Sequence, residues 1–196
     1  MQQRSQALLE RIMHAAGEMF DEYGVEGCST EQIARHAGAS IGAVYRFFPN
    51  KASLAADLAE RYALQQQAAA IQHFEEANLA RPAEEIVGEF FKSFADLLGS
   101  QLGWRGLMKA GYLFNGDSGH APPAASHDWD ALLERFFQAQ VPQLAADERR
   151  IAARMFVSLT AWLLLRVAES TEPLDVGLRE ARTVMIGYIQ ELRRRY

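Results

Sequence analysis

An all-α fold of about nine helices is predicted by three features of the sequence. Apolar residues recur at spacings of three and four along most of the chain, no period-two alternation is long enough to argue for a strand, and the breaks carry glycine, proline or capping serines. With 196 residues, 49% of them hydrophobic, the chain can build one large core or a small domain beside a medium one.

The elements follow in order. Leu8, Leu9, Ile12, Ala15, Ala16, Met19, Phe20 and Tyr23 share one helical face. Gly24 comes next, where a left-handed residue commonly ends a helix, so the first helix is expected over residues 5–23. Ser29 or Thr30 caps a second, with Glu31 in its first turn, Ile33, Ala34 and Ala37 on its apolar face, and Gly38 ending it. Ser40 caps a third short helix that holds Val44, Tyr45 and Phe48 and stops at Pro49, which lacks a backbone donor. A fourth helix is expected from Lys51 to about residue 80. Arg81-Pro82 precedes a fifth through Leu98, while Gly99, Ser100 and Gly103 surround a weak connection. Residues 115–126, with Gly116, Gly119, Pro122 and Pro123, read as a loop. Trp129, Leu132, Leu133, Phe136, Phe137 and Val141 mark the next helix, and two long helices over residues 147–170 and 175–194 close the chain. The three N-terminal helices set a small domain at residues 1–50 apart from a larger one at 51–196.

The formal net charge of -5 excludes a nonspecific nucleic-acid coat, so any DNA contact must come from a local patch. One segment suits phosphate: no acidic residue lies between Gln32 and Ala56, whereas Arg35, Arg46 and Lys51 do. Cys28 is the only cysteine, which excludes an intrachain disulfide and a cysteine-rich metal site; it is expected as a small buried apolar residue. His14, His36, His73, His120 and His127 show no metal-ligand spacing, and there is no glycine-rich phosphate loop or nucleophile motif, so no catalytic residue, metal or cofactor is expected. The N-terminus lacks an apolar signal core, and the stretch closest to a membrane span, residues 156–167, is broken by Ser158, Thr160 and Arg166. A soluble, cytoplasmic protein without a membrane partner is the expectation.

A short helix, a glycine-containing turn and a second short helix form a helix-turn-helix, which puts its later helix into a major groove. The elements Gly24-Val25, Thr30 with Ile33-Ala34, Ala37-Gly38, Ser40-x-Gly42-x-Val44-Tyr45 and Phe48-Pro49-Asn50-Lys51-x-x-Leu54, which together span 31 of the 196 residues, resemble the DNA-binding signature of the tetracycline-repressor (TetR) family. This resemblance implies a regulator whose N-terminal domain binds an operator in double-stranded DNA and whose larger domain senses a small molecule and dimerises. It also implies that Thr30, Tyr45 and Lys51 hold phosphates, and that Ser40, Ile41, Gly42 and Ala43 face the groove. Gly42 allows close backbone approach, and Ile41 or Ala43 suits a thymine methyl. Two positions depart from the family pattern: Ile41 stands where a polar or basic residue is common, and Phe47 where a histidine or tyrosine is. Arg46 is expected to compensate by reaching a base edge or a phosphate, with a correspondingly different sequence preference. Val44 and Phe48 are core residues on this reading, and Phe47 meets either core or DNA.

The last two helices carry more apolar surface than one seam needs, with Ile151, Met155, Phe156, Leu159, Trp162, Leu163 and Val167 on one and Val176, Leu178, Val184, Met185, Tyr188, Ile189 and Leu192 on the other. A two-fold homodimer through these helices would bury the excess. Aromatics are dense between the fourth helix and the eighth. The resemblance implies a small-molecule site there, and its lining suggests a hydrophobic or aromatic effector. The ligand-binding candidates are Phe90, Phe94, Trp104 and Met108, with Tyr112, Phe137 and Trp162. Ligand binding is expected to release the operator through the fourth helix, so the function is that of a repressor relieved by an inducer. The alternative is a helical small-molecule-binding or scaffold module that has lost specific DNA binding, to which burial of Tyr45 and Lys51 would point.

Overall fold

The computed structural model describes residues 2–113 and 129–196. Among them are nine α-helices and no strand: α1 (Gln2–Tyr23), α2 (Thr30–His36), α3 (Ile41–Phe47), α4 (Lys51–Phe74), α5 (Ala83–Ser100), α6 (Trp104–Lys109), α7 (Trp129–Gln140), α8 (Ala146–Glu169) and α9 (Leu174–Arg195). The expected loop at residues 115–126, with His120, and His127 beside it, lies outside the described residues.

Three expectations are corrected. α4 ends at Phe74 rather than near residue 80, because Glu75 turns extended and a single 3-10 turn follows at Glu76–Asn78. The Asn78 side-chain amide there donates to the Gln72 carbonyl at 2.9 Å, satisfying a helix-end acceptor. α5 continues through Gly99 to Ser100. The weak connection after it holds a helix of its own, α6, which starts behind Gly103 in a left-handed conformation (φ 83°).

The described residues divide into two compact units, one holding residues 2–64 and 100–113, the other 65–99 and 129–196. α4 begins in the first and ends in the second, so the expected boundary at residue 50 falls inside the first unit. In the first, α1 carries the core: Ile12, Ala15, Ala16, Met19 and Phe20 are buried, and both α2 and α6 lie against it. Side chains fasten these neighbours. The Tyr62 hydroxyl donates to Leu102 O at 2.7 Å, the Gly103 N–H donates to the Asp21 carboxylate at 2.7 Å, and Arg61 pairs with Glu10 at 3.0 Å.

The second unit is organised by aromatic contacts. Phe74 meets Phe90 at 5.6 Å and Phe136 at 5.2 Å between ring centroids, and Phe156 of α8 meets Phe137 at 5.8 Å. These separations lie in the range of favourable offset and edge-on ring pairs. α8 packs against both α7 and α9. By length and composition it is the one described helix apolar enough to cross a membrane, although Ala152, Ala153, Phe156, Leu164, Val167 and Ala168 are buried within the unit. Polar ties add to the rings: the Gln140 side-chain amide donates to the carbonyls of Leu79 and Arg81, and Arg193 reaches Glu84 at 3.2 Å.

Candidate nucleic-acid interface

The turn after α1 is set by Gly24 (φ 73°), whose N–H donates to Phe20 O at 3.0 Å. Val25 and Cys28 bury below it, and burial pushes the Cys28 thiol up, away from the reactive thiolate. Ser29 caps α2 in a reciprocal box: its hydroxyl accepts from Gln32 N at 3.2 Å, and its N–H donates to Gln32 Oε1 at 2.7 Å. Of the two capping residues left open by the sequence, Ser29 fills the position, and Thr30, one residue into the helix, turns inward. Gly38 (φ 60°) makes the turn, with Ala39 N donating to Ala34 O at 2.9 Å. Ser40 then caps α3 through Ala43 N at 3.2 Å. Asn50 and Ser53 form a second reciprocal box that fixes Lys51 in the first turn of α4.

This architecture determines what α3 presents. Val44 is its single buried residue, and Phe48 buries just beyond it. Ser40, Ile41 (37% exposed), Gly42, Tyr45 (47%) and Arg46 face outward, and Ala43 and Phe47 are half-buried. The Arg46 guanidinium lies over the Phe47 ring, 5.1 Å from its centroid, which pre-positions the cation on the exposed side of the helix. Phe47 therefore supports Arg46 and also approaches Phe48, at 6.4 Å.

Two of the expected phosphate contacts are less exposed than Tyr45. Thr30 is only 8% exposed. The Lys51 side chain is 24% exposed, and its ammonium donates to Cys28 O at 3.1 Å and Glu26 O at 3.4 Å, with the Glu26 carboxylate at 3.5 Å. The ammonium thus satisfies two carbonyls of the turn between α1 and α2. Glu26 carries no motif in the sequence, and Glu31 stands out there only as a first-turn acid. Yet the Glu31 carboxyl is held below its ordinary value by its own backbone N–H first, and then by the hydroxyls of Ser29 and Tyr45.

Residues 12–58, the segment that carries this interface, match the family described as bacterial regulatory proteins, tetR family. The chain carries a tetR-family helix-turn-helix domain. Solved structures with the tetR-family fold extend over nearly the whole chain. A TetR-family regulator from Streptomyces coelicolor superposes with a TM-score of 0.63 at 21% identity, over 95% of this chain and 98% of that one. NalD, the secondary repressor of the MexAB-OprM multidrug efflux pump in Pseudomonas aeruginosa, gives 0.63 at 22% identity over 95% and 97%. FadR, a repressor from Thermus thermophilus solved with lauroyl-CoA, gives 0.55 at 20% identity over 91% and 93%. At these identities the likeness establishes the fold. Among curated proteins no sequence matches the chain.

The residues expected to line an effector site are divided between the two units. Phe90, Phe94 and Phe137 are buried in the second unit, with the Phe90 and Phe94 rings 5.4 Å apart. Trp104, Met108 and Tyr112 are buried in the first. Trp162 is 58% exposed on α8, with the Arg166 guanidinium 5.8 Å from its ring centroid. It faces outward because the buried side of α8 is taken by Phe156, Leu164 and Val167. No group of His, Cys, Asp and Glu among the described residues is arranged to hold a metal ion.

Proposed function

We propose that the chain is a ligand-responsive transcriptional repressor that reads a palindromic operator as a dimer and is released from it by a small hydrophobic or aromatic effector. The observation that carries this reading is the presentation of α3. One anchoring valine faces in, while Ile41, Gly42, Tyr45 and Arg46 face out from a segment free of acidic residues. Exposure of Tyr45 favours DNA binding over a helical module that has lost it. The dimer reading is supported by Ile151, Met155 and Trp162, which recur along one exposed face of α8, and by Val184, exposed on α9; a two-fold partner would cover them.

The relatives support the regulatory half of the proposal: NalD is described as a repressor, and the Thermus FadR structure holds lauroyl-CoA. Phe90, Phe94 and Phe137 are the proposed aromatic lining for the effector, and Trp162 is reassigned to the dimer face. α4, shared between the two units, is the proposed carrier of the signal. A cytoplasmic location belongs to the same proposal. The test is selection of bound sequences from random duplex DNA by the purified protein, repeated with Tyr45→Phe and Arg46→Ala. A recovered palindrome that both variants bind more weakly supports the reading, and no enrichment at moderate salt overturns it.

A further inference from the structure

Two buried side-chain polar atoms among the described residues have no hydrogen-bond partner, Nε of Arg149 and Oγ1 of Thr160, and both belong to α8. They are not equivalent. Arg149 is half-buried and its terminal nitrogens are not shut off from solvent, so the guanidinium can still be hydrated. Thr160 has a single polar side-chain atom, and that atom is buried. A desolvated hydroxyl without a partner destabilises the fold that holds it, so its retention calls for a reason. A threonine in a helix has a local remedy in the carbonyl four residues back. Thr183 of α9 uses it, its hydroxyl donating to Arg179 O at 3.0 Å. Thr160 does not make the corresponding bond to Phe156 O.

Phe156 one turn before it and Leu164 one turn after it are both buried, so Thr160 stands on the core-facing stripe of α8. Through Phe156 that stripe joins the aromatic cluster of the second unit: its ring lies 6.5 Å from Phe74, 6.2 Å from Phe136 and 5.8 Å from Phe137 between centroids. The surroundings are neutral. The polar residues buried as whole side chains are Thr30, Gln66 and Gln101 among those described, none of them ionisable. Arg149 is about 16 Å of helix away from Thr160.

We propose that Thr160 is the polar anchor of the effector site, and that the effector carries one neutral hydrogen-bonding oxygen, a hydroxyl or a carbonyl, on an aromatic body. This rests on the effector-binding reading of the second unit given above. The aromatic body meets the phenylalanine rings, while a threonine hydroxyl, which both donates and accepts, meets either kind of oxygen. A carboxylate would arrive without a buried cation to pair with it, and a bare hydrocarbon would leave the Thr160 hydroxyl unpartnered. Discrimination among effectors of one shape therefore falls to a single oxygen atom.

The test uses the full chain, with naphthalene, 2-naphthol and 2-naphthoate as probes that share one ring body, and compares the parent with Thr160→Val and Thr160→Ser. Without a probe, Thr160→Val is expected to raise the midpoint of thermal unfolding by about 2–4 °C, because it keeps the branched shape and removes the unpartnered hydroxyl. In equilibrium dialysis the parent and Thr160→Ser should bind 2-naphthol about five- to ten-fold more tightly than naphthalene or 2-naphthoate, and Thr160→Val should lose the preference over naphthalene. An unchanged or lowered midpoint in Thr160→Val overturns the inference, since the hydroxyl would then be satisfied within the protein. Equal affinity of the parent for naphthalene and 2-naphthol overturns it too, while leaving an aromatic effector site standing. Tightest binding of 2-naphthoate overturns the neutral class in the same way. If no probe binds the parent, the aromatic-effector reading falls and the inference falls with it.

Discussion

α3 and α6 are both short helices of the first unit, and they are held in opposite ways. α3 is opened by a serine cap and buries one of its seven residues. α6 starts behind Gly103 without a side-chain cap and buries four of its six: Trp104, Gly106, Leu107 and Met108. Neither is long enough to be stable alone, because a helix of one or two turns does not recover the cost of its nucleus. α6 is held by its contact with α1. α3 is held by its caps, by Val44 and by Phe48, which leaves its remaining surface free. The glycines divide the same way. A Cβ on Gly106 would overlap the Phe20 carbonyl oxygen, whereas a Cβ on Gly42 would meet nothing within 4 Å. One glycine answers to the fold, and the other is not required by it.

The largest effect is expected from Gly106→Ala. The atom it strikes is backbone in the last turn of α1, which cannot rotate away, so α6 must lift from its seat. A loss of more than about 2 kcal/mol in urea unfolding is expected, at the upper part of the range for overpacking. A neutral result would break the contrast by showing that α6 tolerates a wider separation from α1.

A smaller effect is expected at Tyr62, whose hydroxyl fastens the turn before α6 to α4. Burial first, and the nearby Asp21 charge second, push the Tyr62 phenol up to about 12. The folded value is raised above the ordinary 10.0, so the contribution to stability is complete below pH 10 and is lost as pH rises toward 12. Unfolding followed by tryptophan fluorescence should therefore show stability falling over that window. Tyr62→Phe should reduce this pH dependence, leaving the part due to the other raised phenols such as Tyr112 and Tyr188, and cost about 1 kcal/mol at neutral pH. An unchanged alkaline profile in the variant would mean that another group controls the window.

The same contrast explains what was legible in the sequence. α3 was legible because its determinants are local: Ser40 at its start, Gly38 before it and Pro49 after it all lie within a few residues. α6 was not, because six residues behind a glycine carry too little periodicity, and what holds them, Gly17, Phe20 and Asp21, lies about eighty positions away. Thr30 and Lys51 illustrate the limit within the motif. The sequence allowed either Ser29 or Thr30 as the cap, and the choice sends the threonine inward. The Lys51 ammonium reaches carbonyls 23 and 25 residues back, a contact that only the closed turn creates.

The smallest effect on stability, and the sharpest test of the contrast, is Gly42→Ala. Glycine in a helix costs up to about 1 kcal/mol relative to alanine, because its unfolded backbone has more freedom to lose. Gly42 is exposed in the first turn of α3, its φ is not positive, and no neighbour occupies the space of a Cβ. Alanine should therefore stabilise the free protein by less than about 1 kcal/mol in chemical unfolding. If the space above Gly42 is kept for a DNA backbone or base edge, the same methyl group should weaken binding to a selected duplex. A variant that is more stable and binds less well would place the reason for this glycine outside the protein. Equal gains in stability and undiminished binding would show that α3 carries a glycine its partner does not need, and the groove contact would then fall to Ile41, Tyr45 and Arg46.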